Sequence, residues 1–225
     1  MDDLAPGIEQ YLLSTCLFVI DDFNEKYADC KDKAELKLEA MERFTEADLV
    51  VRIGYPFRQM ARFVMQSSKG KNEDGNDIIV DSKGFRVEVK YLKPQLTDSG
   101  TSSGKGNWGP IQEDFEWLMG EIDNGQKHKR AFVIGWFNCT DRFSELMQLG
   151  SMEIKGRLRK IDTYKERFFS HFINYDPISR YTNTITYKYI NAYDPCSLSI
   201  PGFNGQLHSL FLGRKSDKFH IAIYF

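Results

Sequence analysis

Two carboxylates and a lysine lie close together in the segment from residue 77 to residue 92, which reads DIIVDSKGFRVEVKYL. Asp77 opens one short β-like run. Glu88 and Lys90 lie two residues apart in the next run, where successive side chains point to opposite faces. The residues between the runs, DSKG, have the composition of a hairpin turn. A hairpin would bring the three side chains together, where they could hold a divalent cation and a water beside a phosphodiester.

The same pattern has a simpler interpretation. Acid-x-lysine triplets also occur at Asp29, Glu35 and Glu153, and antiparallel strands commonly keep one solvated polar face. Glu88 differs from these residues because it lies on a strongly alternating strand that follows an acid-led strand. The local pattern therefore leaves two interpretations open: a metal site, or the solvent-facing side of an edge hairpin.

Composition and charge narrow the class of protein. The chain has 225 residues, of which 41% are hydrophobic and 14% aromatic, as is typical of a packed globular protein. The net charge is -2, but residues 1–48 hold 13 acidic and only five basic side chains. The remainder is therefore net basic, which permits a nucleic-acid surface beyond residue 48 without requiring one.

Cysteine usage and hydropathy indicate the compartment. Cys16, Cys30, Cys139 and Cys196 show neither paired spacing nor a zinc-ligand pattern. We interpret them as free thiols in a reducing environment. The apolar run at residues 11–20 is too short to span a bilayer and lacks the features of a signal peptide. We therefore expect a cytoplasmic protein without a membrane partner.

Hydrophobic periodicity gives the elements that must position these residues. Helices are predicted over residues 7–29 and 32–48, from Pro110 to about Asn124, and over 141–149. Strands are predicted for the hairpin, for the apolar run 130–137, and over 184–193, 207–212 and 219–225. Residues 49–53 look β-like, and 60–66 could be strand or helix. The expected fold class is α/β, with a mixed central sheet flanked by helices. Residues 1–150 would hold the core, and 151–225 would form a β-rich extension packed on it as one compact unit.

The Gly/Ser-rich stretch at residues 97–109 superficially resembles a phosphate-binding loop. It fails that test, because the spacing of Gly100 and Gly104 is one residue short and Gly106 follows Lys105 where serine or threonine is needed. We therefore expect no nucleotide cofactor, and we interpret the stretch as a connecting loop or a loop that closes over a substrate.

The order of elements from residue 32 to residue 137 resembles the common core of the PD-(D/E)xK nuclease superfamily, the restriction-endonuclease-like fold. The order is acidic helix, β region, Asp-led strand, strand with Glu-x-Lys, loop, helix and buried strand. The family's first acid corresponds to Asp77, its second to Glu88 and its lysine to Lys90. Asn76 stands where the family often has proline.

The resemblance implies metal-assisted hydrolysis of a phosphodiester. Asp77 and Glu88 would hold Mg²⁺, with Mn²⁺ as a substitute, and Glu42 or Glu46 on the preceding helix would add a ligand. Lys90 would orient a water or help to deprotonate it, and would offset developing charge. Gln112, on the helix after the lysine strand, would assist as a further catalytic residue.

Several basic side chains are candidates for contact with a substrate phosphate, although solvated charge is the simpler interpretation of most of them. The candidates are Arg86, Lys105, His128, Lys155, Arg157 and Arg159.

The favoured function is a Mg²⁺-dependent endonuclease that cleaves DNA, of the type II restriction kind. Such an enzyme would act as a homodimer, because a symmetric protein matches a palindromic site. Two alternatives stay open: a phage or mobile-element nuclease that reads DNA structure, and a non-catalytic binding or inhibitor protein with a solvated Asp77, Glu88 and Lys90 face.

Overall fold

The computed structural model of the chain describes residues 6–57, 61–63, 75–94, 105–147, 149, 161–174, 185–189 and 193–225, with the backbone alone for residues 63, 105–107 and 145. The helices are α1 (Ile8–Lys26), α2 (Lys33–Glu42), α3 (Glu46–Gly54), α4 (Lys105–Asp123), α5 (Phe143–Met147) and α6 (Thr163–Phe169). The strands are β1 (Ala61–Phe63), β2 (Ile78–Val80), β3 (Phe85–Tyr91), β4 (Arg130–Phe137), β5 (Ile173–Asn174), β6 (Thr186–Tyr187), β7 (Cys196–Leu198), β8 (Leu207–Leu212) and β9 (Phe219–Tyr224).

One mixed sheet organises the fold. Its seven strands follow the order β1-β2-β3-β4-β9-β8-β7, while β5 and β6 form a separate pair. β3 and β4 are parallel, and the other neighbours in the sheet are antiparallel. Because parallel neighbours need a crossover connection, α4 lies between β3 and β4 in the chain.

Two apolar layers cover the sheet. Alternating residues of β4 point into different layers: Ala131 and Val133 join a cluster with α1, α2 and α3, and Phe132 and Ile134 join a cluster with α4, α5 and α6. The prediction that β4 is buried on both faces is therefore confirmed. The α/β class with a mixed sheet flanked by helices is likewise as expected.

The β2–β3 hairpin is confirmed. Val80 pairs with Phe85 and Ile78 with Val87. Gly84 ends the turn with a φ of 68°, a left-handed conformation that glycine adopts without a steric penalty. Along β3, residues 85, 87, 89 and 91 are buried and residues 86, 88 and 90 are half-buried, as the alternation predicted.

The single helix predicted over residues 32–48 is wrong. The chain forms α2, breaks, and restarts as α3 at Glu46. Thr45 and Asp48 form a capping box, in which the Asp48 carboxylate accepts a hydrogen bond from the Thr45 amide at 2.9 Å. Residues 49–53, expected to be β-like, are helical for the same reason: the cap starts a helix whose buried side chains recur at helical spacing. This break places Glu46 in the first turn of α3.

Helix α4 begins at Lys105, five residues before the predicted start at Pro110, so Pro110 lies inside the helix. The added turn packs Trp108 against Phe115 and Phe168, at ring-centroid distances of 6.3 and 5.9 Å. Tertiary packing of this kind supports helical turns that local propensity alone does not indicate.

The last third of the chain contributes directly to the sheet. β9 lies between β4 and β8 and pairs with both. The division expected near residue 150 stays a prediction, but the strands described beyond it are continuous with β3 and β4.

We expect opposite effects from alanine at two glycines. A Cβ on Gly135 of β4 would lie 2.7 Å from a Leu49 methyl carbon and 2.8 Å from the Phe219 ring, so Gly135→Ala should lower the free energy of unfolding by about 1–3 kcal/mol. Gly120 of α4 has no neighbouring atom within 4 Å of that position, so Gly120→Ala should raise it by about 0.5–1 kcal/mol. Urea denaturation measures both values. Equal shifts would contradict the packing described for β4.

Candidate functional site

The hairpin register places Asp77 opposite Glu88. Ile78 pairs with Val87 in the antiparallel hairpin, so Asp77, which precedes Ile78, faces Glu88, which follows Val87. The Asp77 carboxylate also accepts a hydrogen bond from the Val89 amide, at 2.8 Å from Oδ2. Asp77 is thus held at the polar face of β3 by the backbone of the strand that carries Glu88 and Lys90.

The Glu88 side chain is fixed by two neighbours. The buried side-chain amide of Asn76 donates a hydrogen bond to Glu88 Oε1 at 2.6 Å. Asp77 lies beside Glu88, and its charge contributes to the raised pKa of Glu88. The two carboxyl groups are therefore close enough for the ionisation of one to affect the other.

Lys90 lies between two helices. Its Nζ is 3.4 Å from Glu46 Oε1 on α3 and 3.6 Å from Asp114 Oδ2 on α4. The second oxygen of Glu46 accepts a hydrogen bond from the Tyr91 amide at 3.0 Å. The site is thus built from the β2–β3 hairpin, the first turn of α3 and the middle of α4.

Burial and like charge shift the ionisation of the acids in this site. Burial, with the charges of Asp77 and Asp114, raises the pKa of Glu88 to about 8. Burial raises the pKa of Asp77 as well, although the hydrogen bond from Val89 opposes the rise. Burial also raises the pKa of Asp114 to about 6, against the opposing charge of Lys90. The cluster therefore holds less negative charge at neutral pH than its number of carboxyls suggests.

Lys90 responds in the opposite sense to its own burial. Desolvation lowers the pKa of its ammonium, but the carboxylates of Asp114 and Glu46 outweigh this effect and the pKa is raised. Lys90 is consequently a cation at neutral pH.

Sequence reasoning did not identify Asp114, and helix geometry explains why it reaches the site while Gln112 does not. Successive α-helical residues are rotated by about 100°, so these two side chains leave α4 about 200° apart. Asp114 borders the buried stripe on the side of β3. Gln112 accepts a hydrogen bond from Trp108 at 2.8 Å and donates one to Glu116 at 2.7 Å. The signal for Asp114 was its position next to Phe115 at the margin of the apolar stripe.

Glu46 and Glu42 were alternative metal ligands, and the structure separates them. Glu46 contacts Lys90 and Tyr91, whereas Glu42 is an exposed residue at the end of α2. Asp81, the other acid of the hairpin, is bound by Arg62 at 2.8 and 3.2 Å in the turn, away from Glu88.

The candidate phosphate contacts are dispersed. Arg86 shares the β3 face of Glu88, but it donates to its neighbouring carbonyl at 3.2 Å and lies 3.5 Å from Asp81. His128 precedes β4, at the end of the parallel strand pair opposite to Lys90, and its carbonyl accepts a hydrogen bond from Ile8. The side chain of Lys105 and all of Lys155, Arg157 and Arg159 lie outside the described residues.

Comparison with protein-family models, with curated proteins and with solved structures finds no match to this chain. Within the described ranges, no group of three or more histidine, cysteine or carboxylate side chains has the arrangement of a metal site. No described helix is long and apolar enough to cross a membrane.

The chemistry of the donors nonetheless fits a hard divalent cation. Asp77, Glu88 and Glu46 offer carboxylate oxygens, which Mg²⁺ and Mn²⁺ prefer as ligands. Buried Oδ2 of Asp114 has no hydrogen-bond partner in the described part of the chain, and Lys90, at 3.6 Å, is its counter-ion. Excess carboxylate charge of this kind is costly by itself and is relieved by a cation.

The raised pKa of Glu88 has a consequence for stability. An unfolded chain releases this proton near the ordinary pKa of 4.5, and the folded chain releases it near 8. Stability should therefore fall as the pH rises through this range. Glu88→Gln removes the ionisation, so the variant should be more stable than the wild type at pH 8, on the order of 1–3 kcal/mol, and the difference should shrink towards pH 5.

Thermal unfolding at several pH values measures this difference. Glu25→Gln, at an exposed position of α1, is the matched control and should show no comparable dependence on pH. A Glu88→Gln effect of the same size at pH 5 and pH 8 would contradict the assigned ionisation.

Proposed function

We propose that this protein is a metal-dependent nuclease that hydrolyses phosphodiester bonds in DNA, of the type II restriction kind. The observation that carries the proposal is the cross-strand pair of Asp77 and Glu88 in the β2–β3 hairpin, with Lys90 two residues further along β3. Two adjacent carboxylates with an ammonium beside them match the needs of metal-assisted phosphodiester hydrolysis.

The order of elements supports the proposal independently. Helix α3 precedes an antiparallel β1-β2-β3 meander, and α4 connects β3 to the parallel strand β4. This order resembles the core of the PD-(D/E)xK nucleases. The acid of the first core helix corresponds to Glu46, in the first turn of α3.

Asp77, Glu88 and Glu46 would hold the cation. When bound, it would supply a Lewis acid that polarises the phosphoryl oxygen and acidifies a water. Lys90, which stays protonated because of the surrounding carboxylates, would orient that water and offset the negative charge that develops on the phosphate. Its charged state favours an electrostatic role over that of a general base.

Lys90→Ala should reduce cleavage at least about a hundredfold, because it removes the charge that faces the developing phosphate anion. The assay uses supercoiled plasmid, single-stranded DNA and RNA, each with Mg²⁺, Mn²⁺ or EDTA. Lys83→Ala, at an exposed lysine in the hairpin turn, is the control and should leave cleavage unchanged.

The cleavage products separate the candidate functions. Discrete fragments would support a sequence-specific enzyme, and a smear would support one that reads DNA structure. Absence of cleavage with every substrate and metal would contradict the nuclease proposal and favour a binding or inhibitor protein. The near-neutral net charge of -2 is compatible with that alternative.

Metal binding should depend on pH and on the carboxyl pair. Because a cation must displace the proton that Glu88 holds up to about pH 8, Mn²⁺ affinity should fall as the pH falls from 8 to 6. Asp77→Asn should weaken binding at least about tenfold. Titration calorimetry in two buffers measures affinity and proton release together, with Glu25→Gln as the control. Equal affinity for wild type and Asp77→Asn would exclude this pair as the metal site.

A further inference from the structure

Asp114 on α4 is the second carboxylate, besides Glu46 on α3, that forms an ion pair with Lys90. Its Oδ2 lies 3.6 Å from Nζ, and the same atom is buried without a hydrogen-bond partner among the described residues. The Asp114 side chain is 19% exposed, whereas that of Glu46 is 41% exposed. Lys90 therefore has one counter-ion that is largely shielded from solvent and one that is more accessible.

The two counter-ions differ in what else they can do. Glu46 lies at the start of α3, where it also accepts the Tyr91 amide, and it is the acid that the proposed cation would recruit. If Glu46 serves as a ligand of the proposed cation, Asp114 would be the remaining helical partner of Lys90. Asp114 is thus placed to hold the lysine when the site is loaded.

Helix α4 makes Asp114 a rigid support. The adjacent residue, Phe115, is fully buried, and its ring stacks on Phe168 at a centroid distance of 4.1 Å. It also packs edge-on against Phe132 of β4 at 5.0 Å. The backbone that carries Asp114 is consequently fixed relative to the strand next to β3, so the carboxylate defines one position for the ammonium.

Stability alone does not explain this residue. An acid beside Asp77, Glu88 and Glu46 adds like-charge repulsion. The ammonium of Lys90, at 3.6 Å from the buried Oδ2, compensates this cost without making a hydrogen bond of ordinary length. Residues that carry such costs are common at functional sites, where activity and stability conflict.

We propose that Asp114 is a positioning residue that holds the Lys90 ammonium from α4 in the geometry needed for phosphodiester hydrolysis. This inference rests on the proposed nuclease function. Asp114 does not touch the substrate or serve as a metal ligand in this role; it acts through Lys90.

The test is a double-mutant cycle of Asp114→Asn and Lys90→Met, because only residues that act through each other are non-additive. Asp114→Asn should lower kcat about tenfold to a hundredfold, with KM and the half-saturating Mg²⁺ concentration changed by less than about threefold. In the Lys90→Met background it should lower kcat no further. Asp123→Asn, at an exposed acid of the same helix, should have no effect.

Three outcomes would overturn the inference: an equal loss of kcat in both backgrounds, an unchanged kcat, or a large rise in the Mg²⁺ requirement, which would make Asp114 a metal ligand instead. Single-turnover assays with excess enzyme keep the slow Lys90→Met reactions measurable.

The melting temperatures of the same four proteins can be measured without any catalysis. They therefore separate failure of this inference from failure of the nuclease proposal. Removing the Asp114 charge should raise the melting temperature more in the Lys90→Met background, where no ammonium compensates it, than in the wild type. Identical shifts in the two backgrounds would show that Asp114 and Lys90 are not coupled. If the wild type cleaves nothing while the shifts differ, the nuclease proposal fails and the ion pair stands.

Discussion

The crowding of negative charge around one ammonium is the constraint on which the site depends. Asp77, Glu88, Glu46 and Asp114 all contribute to the field at Lys90. In a partly desolvated position, that excess would drive the carboxylates apart unless the scaffold held them. Three local effects reduce the cost: protonation of Glu88 over an unusually wide pH range, the amide of Asn76 and the amide of Val89. The rest of the restraint has to come from packing.

Strand β3 shows how the packing supplies that restraint. Its odd-numbered residues are anchored in the apolar layer beneath α1 and α3, where the Tyr91 hydroxyl donates a hydrogen bond to the Ala40 carbonyl at 2.7 Å. Its even-numbered residues face the opposite side and carry the chemistry. Alternate side chains of β3 therefore anchor the strand in the core, and the side chains between them form the site. A one-residue slip of register would turn the site residues towards the core and the core residues towards the site. β4, the parallel neighbour of β3, is buried on both faces and packs against α4. Its pairing with β3 therefore maintains this register.

The parts of this architecture that could be predicted are those in which one local signal dominates. Alternation along residues 85–91 indicated the hairpin strand, and the apolar run 130–137 indicated the central strand. The break between α2 and α3 was not predicted, because its signal is a short polar cap at Thr45 and Asp48. The residues that follow, 49–53, have a β propensity that conflicts with this cap. Asp114 was hidden for a different reason: it becomes a site residue only when the rotation of α4 is fixed, and that rotation depends on Phe115, Phe168 and the added turn that holds Trp108. The pairing of Asp77 with Glu88 followed from sequence, while the partners of Lys90 depended on tertiary contacts.

Asn76 shows how this chain differs from the pattern that it resembles. Proline, which often occupies the corresponding place, fixes the backbone before the first acid but has no amide to donate. Asn76 is buried, and its side chain donates to Glu88 Oε1 at 2.6 Å, so it compensates part of the desolvation of that carboxyl. This hydrogen bond opposes the rise in the pKa of Glu88 and restricts the rotation of its side chain. The carboxyl pair is therefore arranged before any cation arrives, because the amides of Asn76 and Val89 hold Glu88 and Asp77 at the same part of β3. The raised pKa of Glu88 also leaves this carboxyl with a proton up to about pH 8. Pre-organisation of this kind lowers the reorganisation needed on binding, and it ties the affinity of the site for a cation to the pH at which that proton leaves.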